Sequence, residues 1–218
     1  MNNDESWLQD TTPKTRFKII QQNLNKLLIA QLDFLHSIND TKANIIILQE
    51  PYIDHLKNTR ALLEWYMLYP TTHYKNPKET RTIMLINKKI PTDNWNQLHV
   101  GTGDAVAISI DYEEGHIDVY NVYNDCKIIQ TIPKVTECMD IRRRLTHMNH
   151  PHHIILAGDF NQHHPLWDED KNHHLFMNQN LNKAQEILDC ITLMRSTGMN
   201  RKKTNTKPTQ TNCLESTV

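Results

Sequence analysis

The sequence predicts an α/β fold, a two-sheet β-sandwich flanked by helices. Three observations carry this. Asn44-Ile45-Ile46-Ile47-Leu48-Gln49 and His153-Ile154-Ile155-Leu156-Ala157 are continuous apolar runs of the kind buried on both faces of a sheet. Three other stretches repeat apolar residues every three or four positions, as helices do: Leu24 to Ile38, Val135 to Met148 and Ala184 to Met194. Finally, Glu113-Glu114-Gly115 joins Ala105–Ile110 to His116–Tyr123 at hairpin spacing.

The elements follow in chain order. Residues 1–15 are polar and are expected to be a disordered tail, with one domain over 16–218. Phe17 to Gln21 is a short strand, followed by a helix marked by Leu24, Leu28, Leu32, Leu35 and Ile38. After the Asn44–Gln49 strand come Thr82 to Ile86 and, past the turn Gly101-Thr102-Gly103-Asp104, the hairpin. Pro133 stands where a helix can start, and Val135, Cys138, Ile141, Leu145 and Met148 give its apolar stripe. The strand ending at Gly158 precedes a last helix on Ala184, Ile187, Leu188, Ile191 and Met194. The sequence beyond Gly198 is polar and Thr-rich, and neither repeat nor linker divides the chain.

Composition narrows the class. The chain has 218 residues, 24 Lys+Arg against 25 Asp+Glu, and 38% hydrophobic residues. That is enough for one large domain at roughly 150 residues per domain. No run approaches the ~18 apolar residues of a membrane span, and MNNDESWLQDTTP has neither the basic start nor the apolar core of a signal peptide. An intracellular, non-secreted protein without a membrane partner is expected. Cys126, Cys138, Cys190 and Cys213 lie far apart with no CxxC pair, so four free thiols are expected. A net charge of -1 gives no bulk attraction to nucleic acid. Local basic clusters do occur, at Arg142-Arg143-Arg144 and Arg201-Lys202-Lys203.

Three apolar strands end in polar clusters: Gln21-Gln22-Asn23-Leu24-Asn25, Gln49-Glu50-Pro51 and Gly158-Asp159-Phe160-Asn161. Strand C-termini are where α/β sheets form ligand crevices. Each cluster alone is an ordinary strand ending; together they mark a candidate site. QNLN, ILQEP, VYNVYND and LAGDFNQHHPLW, in this order, resemble the endonuclease/exonuclease/phosphatase family. They are most similar to its branch attached to the reverse transcriptases of non-LTR (LINE-type) retrotransposons. The resemblance spans roughly Arg16 to Val218.

That resemblance implies the four-layered DNase I-like fold and a Mg²⁺ cofactor, with Mn²⁺ as the alternative. Glu50 is implied as the main metal ligand, with Asn23 and Asn25 orienting the ion, its waters or phosphate. Asp159 is implied as the base or orienter of water. Asn161, taken to share the strand face of Asp159, is implied as a donor to the phosphoryl oxygen. Tyr123 is implied as a phosphate contact, whereas Tyr120 points to the opposite face and is structural. His163 and His164 are implied to line the substrate side; Trp167 is expected to anchor that loop in the core, the alternative being to stack on a nucleotide. The remaining histidine pairs, His152-His153 and His173-His174, are expected to be solvated. Zinc is not expected, because adjacent histidines rarely face one ion and no cysteine lies close.

The family pattern continues into a Ser-Thr-(Ile/Val)-Asp string and a Ser-Asp-His motif. Glu215-Ser216-Thr217-Val218 looks like its beginning, and no Asp-His dipeptide follows Asp159. The domain is therefore read as C-terminally incomplete, with terminal strands missing and the tail from Arg201 unpacked. Such a chain is expected to fold at least partly, to bind Mg²⁺, and to be weakly active or inactive. The function expected is that of a retroelement DNA endonuclease, with DNA as substrate, a reverse transcriptase domain in the parent polyprotein and access to the nucleus. The alternatives are a non-catalytic interaction module, or another phosphodiesterase or phosphatase of the family. Oligomeric state is not legible.

Overall fold

The structure, a computed structural model, describes residues 16–38, 41–113, 115–125, 130–145, 151–195 and 212–217. The 1–15 tail, Cys126, Met148 and the Arg201–Lys203 cluster lie outside them, as does the side chain of Cys213. Among the described residues nine strands form two sheets. The first is ordered β3 (Trp65–Leu68), β4 (Thr82–Asn87), β2 (Ile45–Gln49), β1 (Arg16–Asn23) and β9 (Asn212–Thr217). The second is ordered β5 (Trp95–Leu98), β6 (Ala105–Tyr112), β7 (Gly115–Tyr123) and β8 (His152–Asp159). β1 and β2 are parallel, as are β7 and β8; the other pairs are antiparallel.

The two-residue period of a strand builds the layers. All five residues of β2 are buried. Ile45 and Ile47 face the space between the sheets, where they meet Met84, Val106, Ile108, Val119 and Ala157. Ile46 and Leu48 face outward, onto Phe34, Leu35 and Ile38 of the region around α1 (Leu28–Ser37). The outer face of the second sheet, with Ala107, Tyr120 and Val122, is covered by α2 (Thr131–Leu145) and α3 (Asn178–Arg195) through Val135, Cys138, Ile187 and Cys190. The result is four layers: helix, sheet, sheet, helices. Cys138 and Cys190 are buried free thiols.

Several expectations are corrected. α1 starts only at Leu28, because Asn25 and Lys26 take left-handed φ angles of 49° and 58°. Leu24 packs from the loop, while Leu32 is 48% exposed. In α2 the inward positions are Ile132, Val135, Cys138 and Met139, and the next inward place is taken by Arg142, which reaches Asp118. Ile141 and Leu145 are therefore exposed. The short edge strands β3 and β5 are added to the elements expected.

The C-terminal segment is corrected most. Asn212–Thr217 pairs antiparallel along β1, from Arg16↔Thr217 to Gln21↔Asn212. An open edge of β1 presents a row of backbone donors and acceptors, and an extended segment satisfies them. The stretch expected to lie unpacked thus forms the fifth strand of its sheet.

Candidate active site

Polar residues replace apolar ones in step at one end of the sandwich. Along β1 the side chains facing the second sheet are Ile19, Gln21 and Asn23; along β7 they are Val119, Asn121 and Tyr123. The first pair belongs to the apolar core. The second makes a buried polar layer: Gln21 Nε2 donates to Gln49 Oε1 (3.1 Å), and Gln49 Nε2 to Asn121 Oδ1 (2.5 Å). Asn121 Nδ2 then donates to the Leu48 and Ile83 carbonyls at 3.0 and 2.8 Å. One pleat further out, these strands present Asn23 and Tyr123.

That outermost layer is closely connected. Asn23 Nδ2 donates to Asp159 Oδ2 at 2.8 Å, and the Asn25 N–H donates to Asn23 Oδ1 at 2.9 Å. The Tyr123 hydroxyl donates to the Glu50 carboxylate. Tyr123 and Asp159 are register partners across β7 and β8. Gly158 makes this register possible: its φ is +150°, and a Cβ there would sit 1.8 Å from the Val122 carbonyl oxygen. Glu50, just past β2, has φ 47°; its N–H donates to the Arg81 carbonyl (2.7 Å) and its carbonyl accepts from the Lys26 N–H (2.8 Å). Non-glycine residues held in this region are strained, and such strain gathers at functional sites.

Asn161 is reached differently from the expectation. β8 ends at Asp159, so strand alternation does not carry Asn161 to the same face. Its left-handed φ of 48° turns the chain back, and its N–H donates to Asp159 Oδ1 at 3.2 Å. Its side-chain Nδ2 donates to the Asn124 carbonyl at 3.2 Å. Asn25 contributes its backbone N–H to this arrangement, and its side chain is exposed.

The electrostatics follow from the crowding of acidic groups. Burial raises the Asp159 carboxyl, and the charge of Glu50 raises it further; hydrogen bonds from Asn23 and the Asn161 N–H oppose this. Burial and the same two carboxylates push the Tyr123 phenol up to about 12, against Arg81. Tyr123 is therefore a protonated donor at neutral pH. Lys26 Nζ stands 3.7 Å from Glu50 Oε1 as a largely exposed counter-charge.

Sequence reasoning missed the support behind Tyr123. Arg81 donates from Nε and one terminal nitrogen to Asp104 (2.6 and 2.8 Å), and from the other to Asp125. Its guanidinium carbon lies 5.0 Å from the centre of the Tyr123 ring. Thr131 Oγ1 donates to Asp104 Oδ2 at 3.0 Å, and the Asp104 carbonyl accepts the Tyr123 N–H at 2.8 Å. The available signal was Asp104 closing a GTGD turn, and Arg81 opening a buried strand.

The histidine loop is folded on itself. His163 Nδ1 lies 3.4 Å from Asp168, whose carboxylate accepts the His164 N–H at 2.8 Å. The His164 ring leans on Trp167 at 4.9 Å, and Trp167 Nε1 donates to the Gln162 carbonyl. Trp167 packs against the core under α2 and α3. His152 is also corrected: its Nε2 is 3.0 Å from the fully buried carboxylate of Asp118, which Arg142 and Ser109 share.

The donor set fits a hard divalent cation. The carboxylates of Glu50 and Asp159 and the amide oxygen of Asn23 are oxygen ligands, and Mg²⁺ is held by one or two carboxylates with several waters retained. The rise of Asp159 beside Glu50 marks negative charge that a cation would compensate. Among the described residues no group of three His, Cys, Asp or Glu could hold a metal.

Solved structures share this architecture. The endonuclease domain of TRAS1, a telomere-specific non-LTR retrotransposon, is 17% identical, with 78% of this chain and 70% of that one covered at a TM-score of 0.52. The 3′-5′ exonuclease NExo from Neisseria meningitidis is 17% identical, covering 80% and 71% at a TM-score of 0.53. The chain shares the DNase I-like α/β fold of these structures. A Neisseria NExo 3′ phosphatase variant bound to product DNA hairpin shares the fold at 17% identity, 80% and 71% coverage and a TM-score of 0.52. Residues 117–218 match the family model described as endonuclease-reverse transcriptase. No curated protein sequence matches this chain. No helix among the described residues is long and apolar enough to cross a membrane.

Proposed function

We propose that this chain is the Mg²⁺-dependent DNA endonuclease domain of a retroelement, with Mn²⁺ able to substitute, working beside a reverse transcriptase in the parent polyprotein and reaching DNA in the nucleus. The observation that carries it is the joining of Asn23 to Asp159 and of Tyr123 to Glu50 at one end of the sandwich. The endonuclease-reverse transcriptase match and the likeness to the TRAS1 domain support the retroelement assignment.

Glu50 would hold the cation, with Asn23 and Asn25 beside it. The bound ion would neutralise phosphate charge. Asp159, raised by burial and by Glu50 and oriented by Asn23, takes the proton of the attacking water. Water bonds to phosphorus as the bond to the 3′ oxygen breaks, leaving a 5′-phosphate and a 3′-alkoxide that takes a proton from solvent water to become the 3′-hydroxyl able to prime synthesis. Tyr123, protonated at neutral pH, and Asn161 donate to the phosphoryl oxygens. His163 and His164 would border the DNA from their loop.

The likeness to NExo favours a second reading, a nuclease or phosphatase of DNA 3′ ends. A substrate panel separates the two. Conversion of supercoiled plasmid to open circles with Mg²⁺, suppressed by EDTA, supports the endonuclease. Release of phosphate or nucleotides from 3′ ends with intact plasmid left untouched contradicts it.

A further inference from the structure

Beside Glu50 opens a cleft of about 790 Å³, between the chain that follows Glu50 and the chain that leads into β4. Lys26, Lys57, Lys75 and Lys78 line it, together with Tyr52 and His55. All four lysines are exposed. Four positive charges on one cleft stand out in a chain whose net charge is -1. Two acidic residues also line it. One of them, Asp54, is turned to its own loop, where Oδ1 accepts the Leu56 and Asn58 N–H groups at 2.8 and 2.9 Å.

Two buried side chains pin the walls. His73, 2% exposed, accepts at Nδ1 from Thr80 Oγ1 (2.7 Å) and donates from Nε2 to the Lys57 carbonyl (2.9 Å). Its ring stacks on Tyr69 at 4.0 Å. Both nitrogens are used by the neutral ring, and burial holds His73 below its ordinary pKa. Gln31, fully buried in α1, donates to Thr59 Oγ1 and the Arg60 carbonyl (2.7 Å each) and accepts the Tyr52 N–H at 2.9 Å. The wall bearing Lys57 is thus tied both to α1 and to the wall bearing Lys75 and Lys78. Lysines on a fixed frame lose less freedom when they bind an anion than lysines on a loose loop.

We infer that this cleft is the track for the nucleic-acid backbone flanking the cleaved phosphate, with Lys57, Lys75 and Lys78 each neutralising a phosphate. The inference rests on the nuclease reading and specifies where the substrate strand leaves the site. Binding that replaces condensed counterions is salt-dependent, with a slope of about 0.9 per phosphate contact on duplex DNA.

The test is anisotropy of a labelled DNA duplex titrated with the protein in EDTA at several salt concentrations. The variant combines Lys57→Asn, Lys75→Ala and Lys78→Ala; asparagine suits the left-handed φ of 67° at Lys57. A charge-matched control combines Lys88→Ala, Arg143→Ala and Arg144→Ala, away from the cleft. The expected result is a salt slope shallower by about 2–3 in the cleft variant, with affinity at low salt down at least about tenfold and the control unchanged. Native binding with an unaltered slope in the cleft variant, or an equal loss in the control, overturns the track. A native chain with no salt-dependent DNA affinity overturns the nuclease reading and this inference with it.

Discussion

The guanidinium of Arg81 lies against the ring of Tyr123, 5.0 Å from its centre, while its nitrogens are bound to Asp104 and Asp125. An arginine neutralised by two carboxylates serves as a brace rather than a phosphate ligand. It fixes the ring whose hydroxyl meets Glu50. Arg81→Ala would leave the nearly buried Asp104 carboxylate uncompensated, at a cost of about 3 kcal/mol. Urea denaturation should show this loss, with Arg81→Lys intermediate because an ammonium cannot bind Asp104 through two nitrogens. Equal stability of Arg81→Ala and the native protein would show that the brace carries no load.

Gly158→Ala should destabilise the protein by about 3 kcal/mol or more, through overpacking and backbone strain. The added Cβ would meet the Val122 carbonyl oxygen, which is fixed backbone between β7 and β8. Thermal unfolding reads the effect. A variant as stable as the native chain would mean that the Tyr123 and Asp159 register tolerates separation.

Asp118 gives the fold a pH dependence. Burial raises its carboxyl, but hydrogen bonds from His152, Arg142 and Ser109 outweigh this and hold it below the ordinary value of 3.8. A depressed folded pKa contributes stability above the ordinary carboxylate range, lost as pH falls through the folded value. Asp118→Asn should therefore destabilise the protein at pH 7 and flatten its loss of stability in acid. Parallel acid-unfolding curves for the two proteins would contradict this.

Asp159 works in the opposite sense. Its folded pKa is raised, so ionisation above the ordinary range costs stability, and protonation restores it as pH falls. Asp159→Asn removes that cost while keeping an oxygen for Asn23. In metal-free buffer it should melt no lower than the native protein, and it should lack nicking activity. A lower melting temperature in EDTA would show that the carboxylate supports the fold.

Legibility in the sequence followed periodicity. Ile45 to Leu48 announced a strand buried on both faces, and Glu113 to Gly115 a hairpin, because each pattern is local and strong. The edge strands Trp65–Leu68 and Trp95–Leu98 carry little alternation and are defined by their partners. Arg142 was illegible as an inward residue because its place depends on Asp118, 24 positions away in sequence. The strand ends at Asn23, Glu50 and Asp159 were visible as polar breaks after apolar runs, whereas Tyr123 was marked only by the resemblance of VYNVYND. Arg81, His73 and Gln31 were not, since ordinary polar residues reveal a role only through the partners that the fold supplies.

The most direct test is single-turnover nicking of supercoiled plasmid with protein in excess, with and without Mg²⁺, by the native chain, Glu50→Gln and Asp159→Ala. An amide at position 50 preserves shape but removes the charge that holds a hard cation. Slow, EDTA-sensitive nicking by the native chain is expected, reduced at least about 10²-fold in both variants. Glu50→Gln nicking at the native rate with unchanged Mg²⁺ dependence would contradict a metal-bearing site at Glu50.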